Sequence, residues 1–204
     1  GKSNTVLLLG TKYAPLRREF YSTKPFEVKG SLSRVFISVG GTDADGKAAA
    51  LVDGLRRETR FANVCFVVAP GLPGKNEPLQ KLSQSCSQLE IIQYPGAVKE
   101  SMESCDAAVS AGGVTLYELC ACGIPAVIFG FVDNQTQIRE FFGRENAMID
   151  CGDVRQLGQT CIENIISALK SLNSRDLRTS LRANAVRITD GRGAKRLAAF
   201  LSSR

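Results

Sequence analysis

Short aliphatic and β-branched runs alternate with segments of helical period along this chain, and that alternation leaves few folds open to it. Runs that stay apolar on consecutive positions suit strands covered on both faces, as in a parallel sheet with crossover helices. Strands are expected at 35–39, 64–69, 89–93, 107–110, 126–129 and 147–150. Between them Ala48, Leu51, Val52 and Leu55 recur at i, i+3, i+4 and i+7, and Ile162, Ile165, Ile166 and Leu169 repeat the pattern. The expected architecture is α/β, one doubly wound Rossmann-like domain with a six-stranded, mainly parallel sheet. A length of 204 residues suits one such domain.

The first thirty residues fit this scheme badly. Residues 6–9 read as a strand, but the stretch from Lys12 to Lys29 is polar, proline-interrupted and too irregular for a crossover helix. A strand with no partner implies a cut edge. Residues 1–30 are therefore expected to be the remnant of a preceding domain and its linker, with 31–204 as the folded domain.

No apolar run approaches the roughly 20 residues of a membrane-spanning helix, and the N-terminal apolar stretch is too short for a secretory signal. The expectation is a cytoplasmic chain with no transmembrane segment. Seven cysteines, odd in number and without a C-x-x-C pair, read as buried small hydrophobes in a reducing compartment. The chain has no histidine, which removes the commonest general base and the commonest metal ligand together. Serine–histidine triads and histidine metal sites are excluded. Cys120 and Cys122 read as packing residues, so no metal is expected, and without a G-x-G-x-x-G no dinucleotide cofactor is expected either. The net charge of +6 is concentrated in residues 170–204, where nine Lys or Arg face only Asp176 and Asp190. Such basic helices read first as a solvated face and second as a source of positive potential for an anion. Nucleic acid comes last, since Phe200 is the segment's only aromatic residue.

Two expected strands run into glycine pairs followed by helices, VFISVGGTDADGKAAALV and CDAAVSAGGVTLYELC. In open α/β sheets, ligands bind at the carboxyl ends of strands, where loop amides and helix N-termini favour anions. Both loops should face one cleft. Gly41 to Ala48 matches a phosphate-binding loop except at its end, where Ala48 replaces the magnesium-ligating Ser or Thr, and it sets Asp43 and Asp45 where phosphate would lie. That match is taken as accidental. Gly40 and Gly41 either turn a strand into a helix capped by Thr42 or Asp43, or meet a ligand directly.

The second loop carries more chemistry. Gly112 and Gly113 should expose amides at the start of a helix, with Val114 beside them and Thr115 adding a hydroxyl. A diphosphate seated there gains roughly 0.3–2 kcal/mol from the helix terminus. Glu118, one turn along, is either a surface helix residue or a carboxylate that accepts two hydrogen bonds from a ribose diol. Farther on, Asp133, Asn134 and Gln135 open a helix after a buried strand, where amide side chains can cap the helix or read sugar hydroxyls.

In order and spacing, the glycine pair, T-x-x-E, C-G-I-P and N-Q resemble the C-terminal half of GT-B type nucleotide-sugar enzymes such as the lipid II-forming N-acetylglucosaminyltransferases. GTKYAPLRREF, SVGGTDADG and DGRGAKRLAAFL more closely resemble the UDP-sugar hydrolase of pseudaminic acid biosynthesis and its spore coat polysaccharide relatives. The resemblance runs from about Gly10 to Leu201. It implies that Tyr94 and Pro95 face uracil, Glu118 binds the ribose, and Gly113 to Thr115 cradle the diphosphate. Gly41 and Thr42 would close the phosphate side, and Asn134 with Gln135 would touch the sugar. Those hydrolases carry a catalytic histidine in an N-terminal domain, and this chain has none. The resemblance thus implies the nucleotide-sugar-binding half of a UDP-sugar hydrolase, with UDP-sugar and a missing N-terminal domain as partners and with no catalytic residue of its own. A glycosyltransferase with the same donor site, and a non-catalytic donor-binding subunit, are the alternatives.

Overall fold

The computed structural model of the chain describes residues 5–21, 27–40, 46–69, 77–92 and 98–203. Six strands, β1 (Arg34–Ser38), β2 (Cys65–Ala69), β3 (Leu89–Ile91), β4 (Ala107–Ala111), β5 (Ala126–Gly130) and β6 (Ile149–Asp153), form one sheet. Every pairing is parallel and the order is β3-β2-β1-β4-β5-β6. The helices are α1 (Lys47–Arg56), α2 (Glu77–Ser83), α3 (Val98–Glu103), α4 (Val114–Cys122), α5 (Thr136–Arg144), α6 (Val154–Leu157), α7 (Gln159–Ser171), α8 (Arg175–Ile188) and α9 (Gly193–Ser202).

Side chains on a strand alternate between faces, and here each face carries its own core. Val35, Ile37, Val109 and Val127 point toward α1 and α7. Phe36, Ala108 and Ile128 point toward α3, α4 and α5, where Met102, Leu116, Leu119 and Phe142 meet them. Full burial of a Leu or Phe at such a position contributes about 1.5–3 kcal/mol. Double-sided burial explains why these strands read as continuous apolar runs.

Three expectations need correction. Residues 5–9 form no strand and pair with neither edge of the sheet, and Val6, Leu7 and Leu9 lie exposed. The last strand begins at Ile149, not at 147: Ala147 and Met148 donate their N–H groups to the Phe142 carbonyl and so finish α5. The apolar stripe of α7 is rotated by one residue, with Cys161, Ile165 and Leu169 buried while Ile162 and Ile166 are half-covered. The expected end of the third strand at Gln93 lies outside the described residues.

The basic C-terminal helices are not simply a solvated face. Arg178 is fully buried and donates to the carbonyls of Lys29 and Gly30 (2.8 and 3.3 Å). Arg175 reaches Val28 O, Arg192 reaches Tyr21 O, and Arg196 reaches Lys12 O. The irregular early segment offers unpaired carbonyls, which need partners when they lie against protein, and these arginines supply them. Two 3-10 turns, Thr11–Tyr13 and Arg18–Tyr21, pack there, with Leu16 and Phe20 sunk in the core under α4. Gly193 is obligatory at the start of α9, because a Cβ there would lie 2.1 Å from the Ala14 carbonyl oxygen.

Candidate functional site

The sheet order reverses between β1 and β4, and chains leaving those two strands in opposite directions open a crevice at their carboxyl ends. A cleft of about 280 Å³ occupies that place. Its floor is Phe36, Ser38 and Ala69 of β1 and β2, its apolar end is Val98 and Met102 of α3, and its opposite wall is Val114, Thr115 and Glu118 of α4. Gly40 and Arg17 complete the lining.

Beside this cleft α4 starts without a side-chain cap. The Leu116 N–H turns back to the Gly113 carbonyl at 3.2 Å, while those of Val114 and Thr115 have no intrahelical acceptor and carry the positive end of the helix dipole. The expected pair of free glycine amides is corrected: the Gly112 N–H donates to Phe129 O at 3.0 Å, extending the sheet, so the helix terminus begins at Gly113. Gly113 has φ 154° with open space where a Cβ would stand. Gly112 is glycine for another reason, since a Cβ there would meet that of Gln135 at 2.8 Å.

Glu118 is buried, with 7% exposure, and is therefore not a surface helix residue. Its Oε1 accepts from Arg17 Nη2 and Nε at 3.1 and 3.3 Å, and among the described residues Oε2 accepts nothing. Burial pushes the carboxyl above its ordinary pKa, and the Arg17 charge pulls partly back. Arg17 is held by Glu19 (3.0 Å) and lies over the ring of buried Phe20, 5.2 Å from its centroid. The cation of the cleft is thus Arg17, from the early segment, and the described basic residues of the C-terminal helices do not line it. Sequence reasoning missed Arg17; the available signal was the apolar pair Leu16 and Phe20, spaced i, i+4 in a polar stretch.

The turn after β5 flanks the cleft. Phe131 lies beside Gly40, and Lys47 sits over its ring at 5.2 Å. The 3-10 turn Asp133–Gln135 follows, with Asn134 exposed and Gln135 half-buried. Gln135 Oε1 accepts the Phe131 N–H at 3.0 Å, which leaves the amide NH₂ as its donor. The structure thus brings Val114, Thr115 and Glu118 into the cleft, with Gly112 and Gly113 just before them in the chain and Gln135 against Gly112, whereas Asn134 is exposed on the same turn and does not line the cleft. Gly41, Thr42, Tyr94 and Pro95 lie outside the described residues. Burial drives the Cys161 thiol up to about 11 and those of Cys105, Cys122 and Cys151 to about 12, so none of them is a thiolate nucleophile at neutral pH. Among the described residues no helix is long and apolar enough to cross a membrane.

No protein-family model matches the chain. It is 26% identical over 206 residues to the spore coat polysaccharide biosynthesis protein SpsG of Bacillus subtilis, an alignment covering 98% of this chain and 59% of that protein. The chain thus spans little more than half of that relative. Among solved structures it superposes on Acinetobacter baumannii MurG with a TM-score of 0.64 at 18% identity, covering 89% of this chain and 55% of MurG. It superposes on Os79 from O. sativa, determined in complex with UDP, with a TM-score of 0.62 at 18% identity, covering 85% of this chain and 41% of Os79. The fold is that of the Rossmann-like C-terminal half of GT-B type enzymes.

Proposed function

We propose that this domain binds the nucleotide part of a UDP-sugar, and that the protein to which it belongs cleaves the bond between sugar and diphosphate in the synthesis of a surface polysaccharide or nonulosonic acid precursor. The observation that carries the reading is a buried carboxylate, Glu118, opening into a cleft at the terminus of α4. A ribose diol takes a carboxylate's two oxygens, and a diphosphate takes the amides of Gly113, Val114 and Thr115 one turn away. Val98 and Met102 offer the base an apolar wall. Arg17 lines the same cleft: a diol on Glu118 competes for its carboxylate, and the released guanidinium then becomes available to the phosphates.

In this reading the anomeric carbon–oxygen bond breaks with its electron pair going to the diphosphate, whose new charge the helix terminus and Arg17 stabilise. Glu118 binds the ribose and is not the group that activates the attacking species. The attacking oxygen belongs to water, as in the hydrolases that the sequence resembles, or to an acceptor hydroxyl in a glycosyltransferase. The similarity to SpsG and the superposition on a UDP complex support the nucleotide part of the reading. Titration calorimetry with UDP tests it: saturable binding is expected for wild type, with no heat from an equal concentration of NAD, and absence of UDP binding refutes it.

A further inference from the structure

The 3-10 turn Asp133–Gln135 is held through Gln135, whose Oε1 accepts the Phe131 N–H and whose side chain fills the space beside Gly112, just ahead of the α4 terminus. A further tie comes from β6. Asp153, 2% exposed, ends β6 and caps α6 by accepting the Arg155 N–H at 2.9 Å. The Arg155 side chain returns to the same carboxylate, Nε to Oδ1 at 3.1 Å and Nη2 to Oδ2 at 2.8 Å. From that fixed base Nη2 also reaches Asp133 Oδ1 at 2.9 Å, the one ion pair of Asp133 among the described residues.

We propose that Arg155 is a positioning residue for the sugar end of the cleft: by joining buried Asp153 to Asp133 it seats the turn that carries Asn134 and Gln135, and so sets which sugars are accepted while leaving the grip on the nucleotide alone. The proposal rests on the nucleotide-sugar reading above. Asp133 is almost fully exposed, so its pair with Arg155 adds little to global stability. The fork on Asp153 is rigid, however, and a planar guanidinium held on two atoms fixes the direction of its remaining contact. Glu118 and the α4 terminus lie on another element; the turn meets the start of that element through Gln135 against Gly112, a contact that Asp133→Asn does not remove.

The test is calorimetric titration of the wild-type chain and of Asp133→Asn, Arg155→Ala and Arg155→Lys with UDP, UDP-glucose, UDP-galactose and UDP-N-acetylglucosamine. Wild type is expected to bind the three sugars with different affinities. Asp133→Asn and Arg155→Ala should narrow that spread roughly two- to fivefold, the range an exposed ion pair can carry, with UDP affinity altered less than about twofold. Arg155→Lys, which keeps the charge, should recover part of the spread. Asp133→Asn spares the Asp153 fork, so its result stands even where Arg155→Ala unfolds. An equal change for UDP and all three sugars, an unchanged spread, or a wild type that binds UDP without distinguishing sugars would overturn the positioning role and leave the nucleotide site standing. A wild type that does not bind UDP refutes the nucleotide reading and this proposal with it.

Discussion

A buried carboxylate in a cleft with an apolar end is an uneasy residue, and Glu118 shows how it is tolerated. Burial raises its pKa and Arg17 lowers it in part, so ionisation still costs stability. The native state holds this proton more tightly than the unfolded chain does, and stability from this residue therefore declines as pH rises through the carboxylate range. Glu118→Gln, which keeps an acceptor for Arg17 but drops the buried charge, is expected to melt no lower than wild type at pH 7. The same change should weaken UDP binding about ten- to a hundredfold, as loss of charge-assisted hydrogen bonds implies. Melting curves and calorimetry together check the opposed signs. The affinity of wild type for UDP-glucose, whose diphosphate diester keeps its charge across this range, should fall as pH drops from 7 toward the raised Glu118 pKa. In Glu118→Gln it should stay flat.

Among the elements, α8 and α9 act as a clamp on the early segment. Gly191 and Gly193 let backbone pass backbone, since a Cβ at either would fall 2.2 or 2.1 Å from the carbonyl oxygens of Phe20 and Ala14. Neither oxygen can move without its chain, so Gly193→Ala should destabilise by about 1–3 kcal/mol, readable in urea unfolding. Arg196 ties α9 to Asp190 (2.7 and 2.5 Å) and to the Lys12 carbonyl (3.0 Å). Those bonds hold the Asp190 carboxyl down at about 2. The contribution of that pair is fully present above the ordinary carboxylate range, declines as pH falls below it, and is gone once pH has fallen through about 2. Arg196→Ala should accelerate amide hydrogen exchange at Tyr13 and Phe20, whose N–H groups bond within the clamped turns, while β4 and β5 keep their protection. Because Arg17 rides on the same segment, UDP affinity should fall modestly in this variant.

At the scale of the whole molecule, the parallel order places every loop that matters on one edge. Ligand binding there is linked to global stability: at a hundred times its dissociation constant, UDP should add about 2.7 kcal/mol. For a chain of this length that corresponds to a rise in melting temperature of several degrees, at roughly 2–4 °C per kcal/mol, with no such rise from NAD. Scanning calorimetry over a UDP series measures it. A rise that fails to depend on UDP concentration would speak against a specific site.

Much of this was written locally. The apolar runs specified six strands and their double-sided burial, because period and burial are properties of neighbouring residues, and the glycine pair with T-x-x-E marked the terminus of α4. What local patterns could not carry was decided by packing. Residues 6–9 have the composition of a strand, yet neither edge strand, β3 or β6, takes them as a partner. Arg178 looks like any surface arginine until the carbonyls of Lys29 and Gly30 bury it. Gly112 looks like a phosphate-binding amide until the Phe129 carbonyl takes it. Arg17 and Glu118 stand 101 positions apart, and only the docking of the early segment under α4 makes them one site. Hydrogen-bond partners distant along the chain are chosen by topology, which no window of sequence contains.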